Sequence, residues 1–158
     1  MDEPQVRPAT VEEIEADWRE FTGGPPVVGV LRVYESSDVE GIVWRDPDLG
    51  RVSVATWWVD GERAEITSVH AEPPGSGAGT RVMDAAEGEL RRRGVKTAIV
   101  GTTNDNSRAL NFYIERGYRL IRLHLDAMDH VRALKPEVPR TGRDGVPLRD
   151  MWELEKAL

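Results

Sequence analysis

Cysteine is absent from this chain. That absence removes disulfides, cysteine metal sites and thiol nucleophiles, and is compatible with a reducing compartment. Histidine is scarce: His70, His124 and His130 are scattered with no partner at ligand spacing, so no metal is expected. No apolar run reaches the length of a membrane span, and the acidic start Met1-Asp2-Glu3 is the wrong charge for a secretion signal. A cytoplasmic protein with no membrane partner is therefore expected. Positive charge is in deficit, with a net charge of −7 and a pI near 5.1. This argues against nucleic acid as the main ligand and suits a cationic partner, although an acidic surface kept for solubility explains it equally.

What is present fits one α/β domain over residues 1–158, with 39% hydrophobic and 31% charged residues and no internal repeat. Thr10 can cap a helix, with Glu13 reaching back to it and Ile14 and Trp18 sharing a face afterwards. Gly23-Gly24-Pro25-Pro26 breaks that helix. Strands are expected at 27–34, 39–45, 52–59 and 63–70, the last two joined by an Asp60-Gly61 turn, which makes an antiparallel meander. Val82, Met83, Ala86 and Leu90 then repeat at helical spacing, with Arg91–Arg93 and Gly94 as a natural helix end. A strand at 96–103, a helix at 108–116, a strand at 118–123, a short helix at 126–135, a proline-rich loop and a last strand at 150–155 complete the chain.

Between the meander and the second helix lies Glu72-Pro73-Pro74-Gly75-Ser76-Gly77-Ala78-Gly79-Thr80-Arg81. A turn that leaves a strand and enters a helix presents unpaired backbone N–H groups together with the positive end of the helix dipole. Glycines at 75, 77 and 79 let the backbone approach a large anion such as a pyrophosphate without Cβ clashes. A P-loop would need Gly-Lys-Ser/Thr, whereas Gly79 is followed by Thr80 and Arg81. A dinucleotide fingerprint would need a third glycine where Thr80 stands; Asp105 could imitate its ribose-binding acid, but an antiparallel meander upstream is wrong for a doubly wound fold. A flexible connection with no ligand is the structural alternative.

Asn106, Ala109, Tyr113, Gly117 and Tyr118 match the pattern N-x-x-A-x-x-x-Y-x-x-x-G-F/Y. In this stretch, and in the glycine loop that precedes it, the chain resembles the GCN5-related N-acetyltransferase (GNAT) superfamily. The likeness runs over roughly residues 27–158 and is closest over 63–118. It extends to a bacterial subgroup whose substrates are mostly unassigned. The resemblance implies a mixed, mostly antiparallel sheet of six to seven strands with helices on both faces, and a splay between the strands at 63–70 and 96–103. It implies acetyl-CoA as co-substrate, and a homodimer as a common assembly among relatives. One departure stands out. The arginine or glutamine that opens the family's loop motif is Pro74 here, which offers neither an N–H nor a polar side chain. The amides of Gly75, Gly77, Ala78, Gly79 and Thr80 remain for the cofactor, and Arg81 could add a charge or simply be solvated.

Acetyl transfer to an amine needs a route for the amine's proton, since at a pKa of about 10.4 deprotonation costs roughly 4–5 kcal/mol at neutral pH. It also needs a donor for the developing oxyanion and a proton for the departing thiolate. By family position Tyr113 supplies that proton, and a phenol is protonated at neutral pH. Its alternative is an ordinary packed tyrosine. Asn106 can contact the cofactor arm or cap its helix. The resemblance gives the oxyanion contact and the cofactor arm to the backbone of Val69, His70 and Ala71. For the base, Glu65 is the first candidate, His70 the second and His124 the third; each could instead be an unremarkable strand residue, and some family members show no single base.

Trp57 and Trp58 are adjacent on a strand and must point to opposite faces, so at most one is plainly core. The other could line a groove, stack on a cation or cover an interface. The expected activity is transfer of acetyl from acetyl-CoA to a primary amine, of a small molecule rather than a protein. A noncatalytic acyl-CoA-binding domain and a nucleotide-linked oxidoreductase are the rivals.

Overall fold

In the computed structural model, which describes residues 2–158, the first helix starts where its own capping chemistry puts it. The Thr10 hydroxyl accepts from the Glu13 N–H at 3.2 Å while the Glu13 carboxylate accepts from the Thr10 N–H at 3.0 Å. From there α1 (Val11–Thr22) runs to Gly23, whose φ of 80° closes it in the left-handed region. Its buried positions are Ile14, Asp17 and Trp18, so one carboxylate shares the apolar stripe.

The contacts of the chain cluster into two compact units, Met1–Ala98 with Leu158, and Ile99–Ala157. In the first, β1 (Gln5–Pro8), β4 (Glu40–Asp46), β5 (Arg51–Asp60) and β6 (Arg63–Glu72) lie in the order β1-β4-β5-β6, all antiparallel. The edge strand β1 was not expected. It pairs Gln5 with Arg45 and Pro8 with Ile42. The single strand expected at 27–34 is instead a separate two-stranded hairpin of β2 (Val27–Val28) and β3 (Val33–Tyr34). The physical reason lies outside the segment: a carboxylate on β6 draws the intervening backbone into a turn. Next, α2 (Ala78–Arg92) packs Val82, Met83, Ala86 and Leu90, all fully buried, against β4, β5 and β6. A second cluster gathers Ile14 and Trp18 of α1 with Val27, Tyr34 and Val39, and Trp58 packs on its margin.

The strand β7 (Thr97–Thr103) leads into the second unit, which also holds α3 (Ser107–Glu115), β8 (Arg119–His124), α4 (Ala127–Leu134) and β9 (Met151–Ala157). Here the strand order is β7-β9-β8, with β8 and β9 antiparallel from Arg119↔Glu155 to His124↔Met151. Gly117, at φ 95°, stops α3 as expected. The loop after α4 is folded: Gly142 N–H donates to Val146 O at 2.8 Å and Leu148 N–H to Arg140 O at 2.9 Å. Four helices, with ladders of four and three strands in the two units, bear out the mixed, mostly antiparallel α/β expectation. Among the described residues no helix is long and apolar enough to cross a membrane.

Candidate active site

The glycine turn enters α2 as its sequence requires. Gly75 and Gly77 have φ of 75° and 84°, and Gly77 is the N-cap residue, with no side chain to cap it. The first helical bond closes from Arg81 N–H to Gly77 O. Among the described residues, the amides of Gly75, Gly77 and Gly79 donate to no acceptor within the chain. The turn is buttressed from β5 by Arg51, a contact that no local pattern in the sequence signals. Its Nη1 donates to Ser76 O at 3.0 Å and its Nη2 to Asp46 Oδ2 at 2.7 Å, with the guanidinium 5.2 Å from the Trp44 ring centroid. Arg51 thus brings a cation to the loop that Pro74 leaves without one. Its hydrogen bond holds the Asp46 carboxyl below the usual range.

Glu65, the first candidate base, is 1% exposed and its carboxylate is occupied. Oε2 accepts from Val30 N–H at 2.7 Å, and Oε1 from Leu31 N–H at 3.1 Å and the Tyr34 hydroxyl at 2.6 Å. The fit is tight enough that a Cβ on Gly29 would stand 2.5 Å from both carboxylate oxygens. Burial first, and the hydrogen bond to Glu65 next, push the Tyr34 phenol far above its ordinary value, so it remains a donor. Arg32 lies over both Tyr34 and Trp58, at 5.4 and 4.9 Å from the ring centroids. Of the three uses open to an outward tryptophan, stacking on a cation is thus met by the chain's own arginine, while Trp57 is core at 2% exposure.

His70, near the end of β6, is held differently. Its Nδ1 lies 2.6 Å from Asp17 Oδ2, and Phe21 stacks on its ring at 4.5 Å. Its neighbours Val69 and Ala71 are partly buried and pair with Ala55 and Ser53 of β5. The strand is tied to α1 again where the Trp18 indole donates to the Ser68 hydroxyl at 3.0 Å. His124, the third candidate, places Nε2 2.7 Å from the buried Glu153 carboxylate.

In the second unit Asn106 caps α3: its Oδ1 accepts from Ala109 N–H at 3.1 Å, which leaves its amide NH2 as the group available to a ligand. Tyr113 is buried on α3, edge-on to Phe112 and Tyr118 with centroids 5.3 and 5.5 Å away. Burial pushes its phenol up to about 12, against a smaller lowering by Arg116, so it holds its proton across the neutral range. Asn104 and Asp105, beside this motif, pin the C-terminal loop. Asn104 Oδ1 accepts from the Arg149 and Asp150 amides at 3.0 and 3.1 Å. Asp105 accepts from the Thr103 hydroxyl at 2.5 Å, the Arg143 amide at 2.9 Å and the Arg143 guanidinium at 3.2 Å. Asp105, whose place in the sequence could imitate a ribose-binding acid, is thus occupied within its own unit.

Among the described residues no group of three or more His, Cys, Asp or Glu side chains is placed to hold a metal ion. The model of the acetyltransferase (GNAT) family matches residues 11–118. The uncharacterized protein YxbD of Bacillus subtilis (strain 168) is 33% identical over 145 residues, 92% of this chain and 91% of that protein. Among solved structures, the IAA acetyltransferase from Bacillus cereus ATCC 14579 is similar at a TM-score of 0.75 and 18% identity, over 99% of this chain and 100% of that one. A GNAT family acetyltransferase from Elizabethkingia anophelis, with acetyl-CoA bound, is similar at a TM-score of 0.70 and 16% identity over 100% of both chains.

Proposed function

The chain belongs to the acetyltransferase (GNAT) family, and from that premise we propose that it acts as one N-acetyltransferase domain over residues 1–158, moving acetyl from acetyl-CoA to the primary amine of a small molecule by direct attack in a ternary complex. One observation carries this reading: the three unpartnered glycine amides at the N-terminus of α2, a donor set suited to a pyrophosphate. Gly75, Gly77, Ala78, Gly79 and Thr80 hold the phosphates, with Arg51 setting the shape of the turn. The backbone of Val69, His70 and Ala71 and the Asn106 amide NH2 take the pantetheine arm. When bound, acetyl-CoA supplies the activated acyl group. Tyr113, protonated, gives its proton to the departing thiolate. For the base the geometry favours His70, because the Glu65 carboxylate already serves three donors in the β2–β3 hairpin. The reading places the enzyme in the cytoplasm, without metal, nucleic acid or membrane, and with a homodimer as its assembly.

Thermal unfolding with acetyl-CoA, CoA, NAD and NADP tests the reading. A ligand at about 100 times its Kd adds roughly 2.7 kcal/mol, which for a chain of this size raises the midpoint by about 5–10 °C. The expected result is a shift with the two CoA compounds alone, followed by thiol release from acetyl-CoA with members of a panel of alkyl and aryl amines, amino acids and polyamines. A shift with NAD or NADP instead would overturn it. CoA binding with no acceptor anywhere in the panel would favour the acyl-CoA-binding alternative.

A further inference from the structure

We infer that Asp17 is the positioning residue of a His70 base, an assignment that rests on the acetyl-transfer reading and names the group through which the amine's proton leaves. Asp17 and Phe21 are four residues apart on α1 and so share a face. They hold one imidazole in two independent ways. The Asp17 carboxylate lies 2.6 Å from Nδ1, and the Phe21 ring lies 4.5 Å from the imidazole centroid at an interplanar angle of 22°. The hydrogen bond sets the ring's rotation within its plane, and the stack sets the plane. A carboxylate can only accept, so Nδ1 carries the hydrogen and the neutral ring keeps its lone pair on Nε2. Among the described residues no other group is hydrogen-bonded or ion-paired to the His70 ring, and the register partner of His70 on β5 is Val54, which cannot titrate. The ring is partly open, with 19% of the His70 side chain exposed, while the Asp17 side chain is 7% exposed. The arrangement thus joins a buried carboxylate, a fixed tautomer and a partly open ring, which is what a general base requires.

In the step that follows, Nε2 takes one proton from the acceptor's ammonium group, and the freed nitrogen lone pair forms the C–N bond to the thioester carbonyl carbon. The C–S bond breaks, Tyr113 gives its proton to the sulfur, and a second proton is lost from the new amide nitrogen to solvent. The imidazolium returns its proton to solvent, and the Tyr113 phenolate is reprotonated from it. Asp17 touches neither reactant; its carboxylate stabilises the transient imidazolium and keeps the ring from turning.

The test joins nitrogen NMR of the imidazoles with steady-state kinetics on the wild type, Asp17→Asn, Asp17→Ala and His70→Gln. The acceptor is the best amine of the panel. The wild-type His70 ring is expected as its Nδ1–H tautomer, and both Asp17 variants are expected to lose that preference. Turnover should fall about 10²-fold in the Asp17 variants, with the KM for acetyl-CoA within about twofold. The deficit should shrink as pH rises from about 7 to about 9.5, because the acceptor, of pKa about 10.4, then brings more of its own free base. The isosteric Asn variant guards against a mere folding defect, which would appear as a lowered melting midpoint without the pH dependence. An unchanged tautomer, or a deficit equal at every pH, would overturn the inference. If the tautomer behaves as expected while the wild type acetylates none of the amines, it is the amine-transfer reading that has failed, and the base role of His70 with it.

Discussion

The proton-donor role proposed for Tyr113 rests on a phenol that the fold buries. Burial removes water that would stabilise a phenolate and pushes the group up to about 12, so the phenol, protonated at neutral pH in any surroundings, keeps its proton well into the alkaline range. Tyr113→Phe keeps the ring, its edge-on contacts with Phe112 and Tyr118 and the helix, and removes only the hydroxyl. Turnover is expected to fall by about 10²-fold or more with CoA affinity nearly unchanged, read by steady-state kinetics beside calorimetry. A variant with full turnover would show that the hydroxyl is idle. Asp17 was discoverable in the same manner. Ile14, Asp17, Trp18 and Phe21 have helical i, i+3, i+4 and i+7 spacing, so a carboxylate sits on the stripe meant for apolar residues. A charge in that place needs a partner, but nothing local says that the partner stands fifty-three residues away.

The β2–β3 hairpin shows how a short element is specified from elsewhere. Two residue pairs alone cannot hold a hairpin in water. Glu65 supplies the missing interactions through two backbone amides and a tyrosine hydroxyl, and Gly29 leaves room for it. Glu65→Ala would strand those donors, and each buried unsatisfied group costs about 1–3 kcal/mol. Chemical denaturation should therefore show a loss of roughly 3 kcal/mol or more. A change below about 1 kcal/mol would mean that the hairpin does not depend on this carboxylate. The turn before α2 is built in a related way. Its glycines were plain in the sequence, whereas Arg51, reaching across from β5 to Ser76, was not, because only the folded sheet brings position 51 to the loop.

Over the whole molecule, several carboxyls sit lower in the folded chain than in the unfolded one. A hydrogen bond from Arg7 holds Glu13 down to about 2, and Arg92 and Arg93 hold Glu89 low. Asp46 is lowered by Arg51, while Asp105 is lowered by Thr103 and Arg143 although its burial alone would raise it. A depressed carboxyl contributes stability that is fully present above its unfolded value and is lost as pH falls through its folded one. For Glu13 that window runs from 4.5 down to about 2. The melting midpoint should thus hold down to about pH 5 and fall through this window, with a shallower fall in Glu13→Gln. A Glu13→Gln curve parallel to the wild type would remove that pair from the account.

Much was determined by the sequence alone, because it is encoded locally. The capping box at Thr10, the periodicity of α2, the glycine stops at 94 and 117, the glycine turn and the Asn106-to-Tyr118 motif all act over a few residues of chain. Their elements appear within a few residues of where they were expected. Tertiary structure decided what depends on pairs distant in sequence: the edge strand β1, the hairpin held by Glu65, Arg51 behind the glycine turn, and which acid or histidine is occupied. Glu65 and His70 both read as bases in the sequence, since protonation chemistry belongs to the residue type. Whether a lone pair is left free depends on the partners that the fold brings near, and these come from the turn between β2 and β3, from β3 and from α1.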